Sequence, residues 1–144
     1  MLRSNLHGIL RHLVLVPGQI LYLFFEFLNP EKSKYSVLVC DCDKPFLFFA
    51  NTNVAPFIRR NPDMLAAQVR ITPAEYPFLD HDSYINCSEV ICYLLRKDIE
   101  DQDTNGSVIR GRLSQATRSR VVEVVEGCRT LTPRQKTAIV EYLR

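Results

Sequence analysis

The densest run of groups able to move a proton is Asp80-His81-Asp82-Ser83-Tyr84. An imidazole between two carboxylates can titrate near neutral pH and carry protons. The same residue types ahead of a strand also fix turns, because Asp and Ser side chains bond backbone amides. Asn51-Thr52-Asn53 closes an apolar stretch, where a scaffold presents ligand contacts or where turn chemistry ends a strand. Arg59-Arg60 can clamp a phosphate bidentately or stay a solvated pair. Cys40 and Cys42, two apart on a strand, share a face. With Cys87 and His81 they would offer a zinc-ligand set, but the spacing is not that of a zinc knuckle, and free cysteine is among the most buried residue types. No P-loop, GxGxxG, HExxH or GxSxG pattern occurs, which leaves nucleotide-dependent and common hydrolase chemistries without support. No metal or cofactor is expected.

These groups must be positioned by a β-rich core spanning about Val16 to Leu95. Leu2 to Leu13 reads as a short helix with Leu2, Leu6, Ile9, Leu10 and Leu13 on one side, ended by Pro17-Gly18. Gln19–Phe27, Tyr35–Cys40 and Phe46–Ala50 read as strands, separated by the Asn29-Pro30 turn with the polar Glu31–Lys34 loop and by the Asp41–Pro45 hairpin connection. Arg59–Pro62 reads as a loop. Leu65–Ile71 is a further strand with Ala67, Val69 and Ile71 on one face. Thr72-Pro73-Ala74-Glu75 resembles a capped helical turn. Tyr84–Cys87 is a last short strand, and Glu89–Leu95 fits strand or helix. The acidic Asp98–Ser107 stretch reads as a linker. A helix capped by Ser114 and stopping at Gly127 follows, then one opened by Thr132-Pro133 and running to Leu143. The expected architecture is α+β: a small twisted β-barrel with an N-terminal helix and a C-terminal helical pair, all one domain over residues 1–144.

Composition is ordinary for a globular chain, with 47% hydrophobic and 24% charged residues. A domain of this length buries roughly 68–70% of its unfolded surface and needs neither disulfide nor metal to fold. The net charge of +2 hides a division. Residues 1–109 carry 10 Lys/Arg against 13 Asp/Glu, whereas residues 110–144 carry 8 against 3. Attraction to phosphate is therefore expected in the last part of the chain, although a solvated helical surface would give the same bias. Five cysteines in no regular framework, without an export signal, point to a reducing, cytoplasmic setting. The apolar stretch Leu13–Leu28 is broken by Pro17-Gly18 and Glu26, short of the ~20 apolar residues that span a bilayer. No membrane partner is expected.

The order of features resembles the PemK/MazF group of toxin ribonucleases over about Val16 to Val125. The family's first strand opens Pro-Gly-x-Ile, matched by Pro17-Gly18-Gln19-Ile20. Its Leu-x-x-Asp-Ser-x-Ile-Asp segment is close to Leu79-Asp80-His81-Asp82-Ser83-Tyr84-Ile85-Asn86. Its closing helix starts near Gly-x-Leu-Ser, matched by Gly111-Arg112-Leu113-Ser114. The chain departs from the pattern at the second strand, where RNA-cleaving members usually carry Arg-Pro, the arginine being the catalytic cation and proton donor. Tyr35-Ser36 stands there instead.

The resemblance implies an SH3-like barrel, a homodimer, an RNA substrate and an antitoxin partner, and it implies metal-independent endoribonuclease activity. Such cleavage needs a base for the 2′-hydroxyl, an acid for the leaving 5′-oxygen and a cation for the phosphorane. The candidates are His81 for proton transfer and Lys34 or Arg59 for charge. Asn51, Thr52, Asn53, Arg60, Asp82 and Ser83 are candidates for holding the substrate. The missing Arg-Pro pair and the abundance of Tyr and Phe equally fit a catalytically inactive module that works through protein or RNA contacts. A third reading takes the terminal helix pair as a DNA-binding helix-turn-helix with Arg134 and Lys136 near the start of its second helix.

Overall fold

The computed structural model describes residues 13–144. Six strands build one antiparallel sheet: β1 (Gln19–Phe25), β2 (Lys32–Cys40), β3 (Phe46–Asn51), β4 (Gln68–Ile71), β5 (Ser83–Asn86) and β6 (Ile109–Arg112). Their order is β4-β5-β3-β2-β1-β6, and the sheet curls into a half-barrel. Five helices accompany it among the described residues: α1 (Pro56–Arg59), α2 (Pro62–Ala66), α3 (Arg96–Gln102), α4 (Gln115–Gly127) and α5 (Pro133–Leu143). The protein is thus a mixed α+β fold.

The central strands are apolar over Ile20–Phe25, Val37–Cys40 and Phe46–Ala50, where most of both faces is covered. Alternate residues of a strand point to opposite sides. Ile20, Val37, Val39 and Phe48 therefore enter a cluster with Val121, Val125, Ile139 and Leu143 of α4 and α5. Leu21, Leu23, Phe25, Leu38 and Leu47 enter a second cluster with Ile99 of α3, Val108, Leu13 and Leu15. Each fully buried Leu, Ile or Phe contributes about 1.5–3 kcal/mol relative to exposure.

The helix pair lies over the first cluster, with its ends fixed by side chains. Ser114 Oγ accepts from the Thr117 amide at 3.2 Å. Thr132 Oγ1 accepts from the Gln135 amide while Gln135 Oε1 accepts from the Thr132 amide, a reciprocal cap ahead of Pro133. The apolar faces of both helices are spent on the sheet, and Lys136 Nζ bonds the carbonyl of Glu126. This is a packing role, and a DNA-reading one finds no support in it.

Several expected boundaries are corrected. Arg59–Pro62 is not an open loop: Pro56 and Pro62 each start a helical turn, and Asn61 Oδ1 accepts from the amides of Asp63 and Met64 at 3.1 and 3.2 Å. The strand expected from Leu65 starts at Gln68, since Leu65 and Ala66 belong to α2. Its expected inward face is right: Ala67, Val69 and Ile71 are buried. Thr72–Glu75 is a single turn, with the Thr72 carbonyl accepting from the amides of Glu75 and Tyr76. Glu89–Leu95 is neither strand nor helix and holds only a Leu47–Ile91 bridge.

The expected linker Asp98–Ser107 largely disappears. It contains most of α3, where Asp98 accepts from the Leu95 amide at 2.8 Å and Ile99 is fully buried. The last part of the chain is also not wholly helical. Ile109–Arg112 forms β6, pairing with β1 through Gln19↔Arg112 and Ile20↔Gly111. The sheet therefore extends beyond Leu95, and its edge comes from the basic segment. The expected helix Leu2–Leu13 falls outside the described residues except for Leu13, which is buried and not helical.

Candidate functional site

The start of β2 and the end of β3 enclose a hollow of about 410 Å³. Register explains who meets there. Ser36 pairs with Phe49, so the residues just before Ser36 lie beside Ala50 and Asn51. Tyr22 of β1 pairs directly with Tyr35. The hollow is lined by Tyr22, Lys32, Lys34, Tyr35 and the Ala50–Asn53 stretch. Four sequence-predicted residues are thereby brought together: Lys34, Asn51, Thr52 and Asn53.

Aromatic rings and cations alternate around this hollow. The Tyr22 and Tyr35 rings lie 4.8 Å apart, and Tyr35 continues to Phe78 at 5.3 Å. The Arg110 guanidinium of β6 sits over the Tyr22 ring at 4.7 Å. On the other strand face, Lys34 Nζ sits 4.5 Å from the Phe49 ring centre and donates a short hydrogen bond to Asn51 Oδ1. Burial, then the neighbouring Lys32 charge, lowers the Lys34 pKa from its ordinary 10.5 to about 8. Such a lysine is a desolvated cation at neutral pH and can give up its proton more readily than an exposed one.

Tyr35 stands where the PemK/MazF resemblance expects the catalytic arginine. It is held by the Tyr22 and Phe78 rings, and its hydroxyl donates to the Phe78 carbonyl at 3.4 Å. Ser36, where proline is expected, is fully buried, and its hydroxyl has no hydrogen-bond partner among the described residues. The position thus supplies a flat apolar surface in place of a cation.

The other predicted residues are not in the hollow. Arg70 takes the Asp82 carboxylate through both Nε, at 3.0 Å, and Nη2. This raises the arginine pKa and fixes the turn into β5. Ser83 is buried and donates to the His81 carbonyl at 3.3 Å, a turn contact. His81 is exposed, and no hydrogen bond joins its ring to Lys34 or to Asn51–Asn53. The Asp80–Ser83 run does enter the sheet close by, since Tyr84 pairs with Asn51. Arg59, the last residue of α1, and Arg60, which follows it as the C-cap, are exposed, with Arg60 Nε bonding the Pro56 carbonyl. Among the described residues no group of three or more His, Cys, Asp or Glu side chains is arranged to hold a metal ion. Cys87 and Cys128 are buried, and burial pushes the Cys87 thiol pKa up.

Sequence reading missed Tyr22, Tyr35 and Arg110 as site residues. Tyr22 and Tyr35 sit within apolar runs and read as core. Arg110 is legible only once Ile109–Arg112 is recognised as a strand, through the alternation of exposed Arg110 and Arg112 with half-buried Ile109 and Gly111. Among the described residues no helix is long and apolar enough to cross a membrane. No family model, curated protein or solved structure matches the chain.

Proposed function

We propose that this protein is a toxin-like domain of SH3-like, PemK/MazF-type shape that binds single-stranded RNA and does not depend on metal. The observation that carries the reading is the Tyr22–Tyr35 ring pair, with Arg110 over one ring and Lys32 and Lys34 lining the same hollow. Aromatic faces accept unpaired bases at about 1–3 kcal/mol per base, and adjacent cations track the phosphates. Asn51 and Thr52 add amide and hydroxyl groups able to bond a ribose or a base edge. Binding is favoured over cleavage because the proton carrier expected from the sequence, His81, stands outside the hollow. In this role the chain belongs to a toxin–antitoxin module as its RNA-contacting member.

A second reading, RNA cleavage at the same hollow, rests on Lys34 alone. Its pKa near 8, beside Asn51, suits a group that both neutralises a phosphate and moves a proton. One experiment separates the two. Fluorescence anisotropy with a labelled 12-nucleotide RNA measures affinity, and a denaturing gel of the same mixture measures cleavage. The binding reading expects an intact oligonucleotide and a loss of roughly 5- to 150-fold in affinity for Tyr22→Ala. Unchanged affinity in both Tyr22→Ala and Arg110→Gln would sink it. Cleavage abolished by Lys34→Met but not by His81→Ala would establish the second reading.

A further inference from the structure

A second concavity, about 850 Å³, lies between the end of β1, the bridge segment around Ile91 and α3. Phe49, Phe27 and Tyr93 line its floor, and the buried Phe25 links them from beneath: Phe49 to Phe25 at 4.9 Å, Phe25 to Phe27 at 5.6 Å, and Phe27 to Tyr93 at 4.9 Å. Phe27 and Tyr93 are 46% and 64% exposed, so the floor is open to solvent. Its rim is acidic throughout. Glu26, Glu89, Asp98 and Asp101 line it, and among the described residues no Lys, Arg or His does. Asp98 is engaged in capping α3, but among the described residues Glu26, Glu89 and Asp101 take part in no ion pair. Lys34 sits over the Phe49 ring, and its amine is bonded to Asn51 Oδ1. On a chain of net charge +2 this is a local negative field around an apolar floor.

We infer that this groove is a docking site for a cationic amphipathic helix of another protein. Charge complementarity sets the sign of the partner: Lys or Arg on its flanks against the three free carboxylates, apolar side chains against the rings. Its secondary structure follows from the strand edge. Gln102 occupies the free backbone of β1, accepting from the Phe24 amide at 2.7 Å and donating to the Phe24 carbonyl at 3.0 Å. An extended peptide would need those groups to add as a strand, so recognition falls to side chains. A helix offers them along one face at i, i+3, i+4 and i+7. The groove is a different site from the RNA hollow, and its test does not depend on RNA.

The probe is a fluorescein-labelled 18-residue peptide with Leu at i, i+3, i+4 and i+7 and Lys elsewhere. Its controls are a scrambled peptide of the same composition and an analogue with Glu for Lys. With the full chain, the patterned cationic peptide is expected to bind at least about tenfold tighter than either control. Glu89→Lys with Asp101→Lys, both exposed and outside the core, should remove about tenfold, and Tyr93→Ala a similar amount. Arg110→Gln should leave peptide binding unchanged. Equal binding of the scrambled peptide, or no response to the charge reversal, would overturn the inference. So would self-association in sedimentation that Tyr93→Glu abolishes, because a second copy would then fill the groove. Peptide binding seen only after Leu6→Glu and Ile9→Glu would assign it to the chain's own first residues.

Discussion

The tyrosine-lined hollow and the acidic groove both draw on β1 and β3, and they differ in the charge that lines them. Tyr22 and Tyr35 point to one side of the sheet, Phe25 and Phe49 to the other. Arg110 lies over the Tyr22 ring, and Lys32 and Lys34 line the same hollow from the opposite face of β2. The charges lining the groove beside the phenylalanines are carboxylates, two of them carried by α3, and Lys34 reaches the Phe49 ring as the one cation described there. On the proposed readings, aromatic area would supply affinity at either place, and the sign of the surrounding field would decide what is drawn to it. A net charge of +2 describes neither site.

If the two sites are independent, a change behind one should leave the other alone. The largest expected effect comes from Ile99→Ala. Ile99 is fully buried in the cluster under α3, so its truncation should cost about 2–5 kcal/mol of stability. On the folded fraction it should weaken peptide binding in the groove and leave RNA affinity within about twofold. Chemical denaturation and the two anisotropy titrations measure all three quantities. A parallel loss of RNA affinity would merge the two regions into one cooperative unit.

Gly111→Ala is the counterpart on the hollow side. A Cβ there would lie 2.8 Å from Phe78 Cε1, so the ring must move. Phe78 stacks on Tyr35, which carries the displacement into the hollow. The expected cost is about 1–3 kcal/mol, together with weaker RNA binding and unchanged peptide binding. Near-UV circular dichroism of the tyrosines and denaturant titration report it.

A smaller effect tests how the groove's helix is tied down. Arg96 holds both Asp41 oxygens at 2.6–2.7 Å, Glu100 at 3.2 Å and the Leu13 carbonyl at 2.9 Å. These contacts join the β2–β3 turn, α3 and the beginning of the described chain, and the carboxylates raise the arginine pKa. Partial exposure screens the pairs, so Arg96→Met should cost only about 1–2 kcal/mol. Faster amide exchange confined to α3 and the Leu13 region is the expected pattern. Uniform protection loss would show that the network supports the whole sheet.

How much of this was legible follows from what each residue needs. The strands around Leu21, Val37 and Phe48, and both terminal helices, announce themselves through local pattern and caps, which depend only on neighbours in sequence. The helix α3 was hidden because Ile99 is a single apolar residue among acids, and its burial depends on a sheet brought there from elsewhere. The edge strand β6 is four residues with a glycine, recognisable only by its pairing with β1. The candidate site divides in the same way. Lys34 and Asn51–Asn53 were visible as polar strand ends, whereas the Tyr22–Tyr35 contact is a cross-strand register and lies in no local motif. Asp82 and Ser83, expected at the site, are used by the turn itself.

The smallest expected effect is pH dependence, and it distinguishes the two regions without any change behind either. Lys34 has a folded pKa of about 8 against an ordinary 10.5. Between those values the unfolded chain holds the proton and the folded chain does not, so this residue makes stability rise with pH across that window. RNA affinity should run the opposite way, because the phosphate is drawn to the charged amine that is lost as pH rises through 8. From pH 7 to 9 the expected loss is about three- to tenfold, the share of one partly screened cation. Lys34→Arg should flatten the RNA curve, since a guanidinium keeps its charge throughout. Peptide binding should not fall over the same range, because among the described residues no lysine or histidine lines the groove and the charge lost at Lys34 is one that would repel a cationic peptide. A fall in both curves together would mean that the opposite signs of charge around the two sets of rings do not act separately.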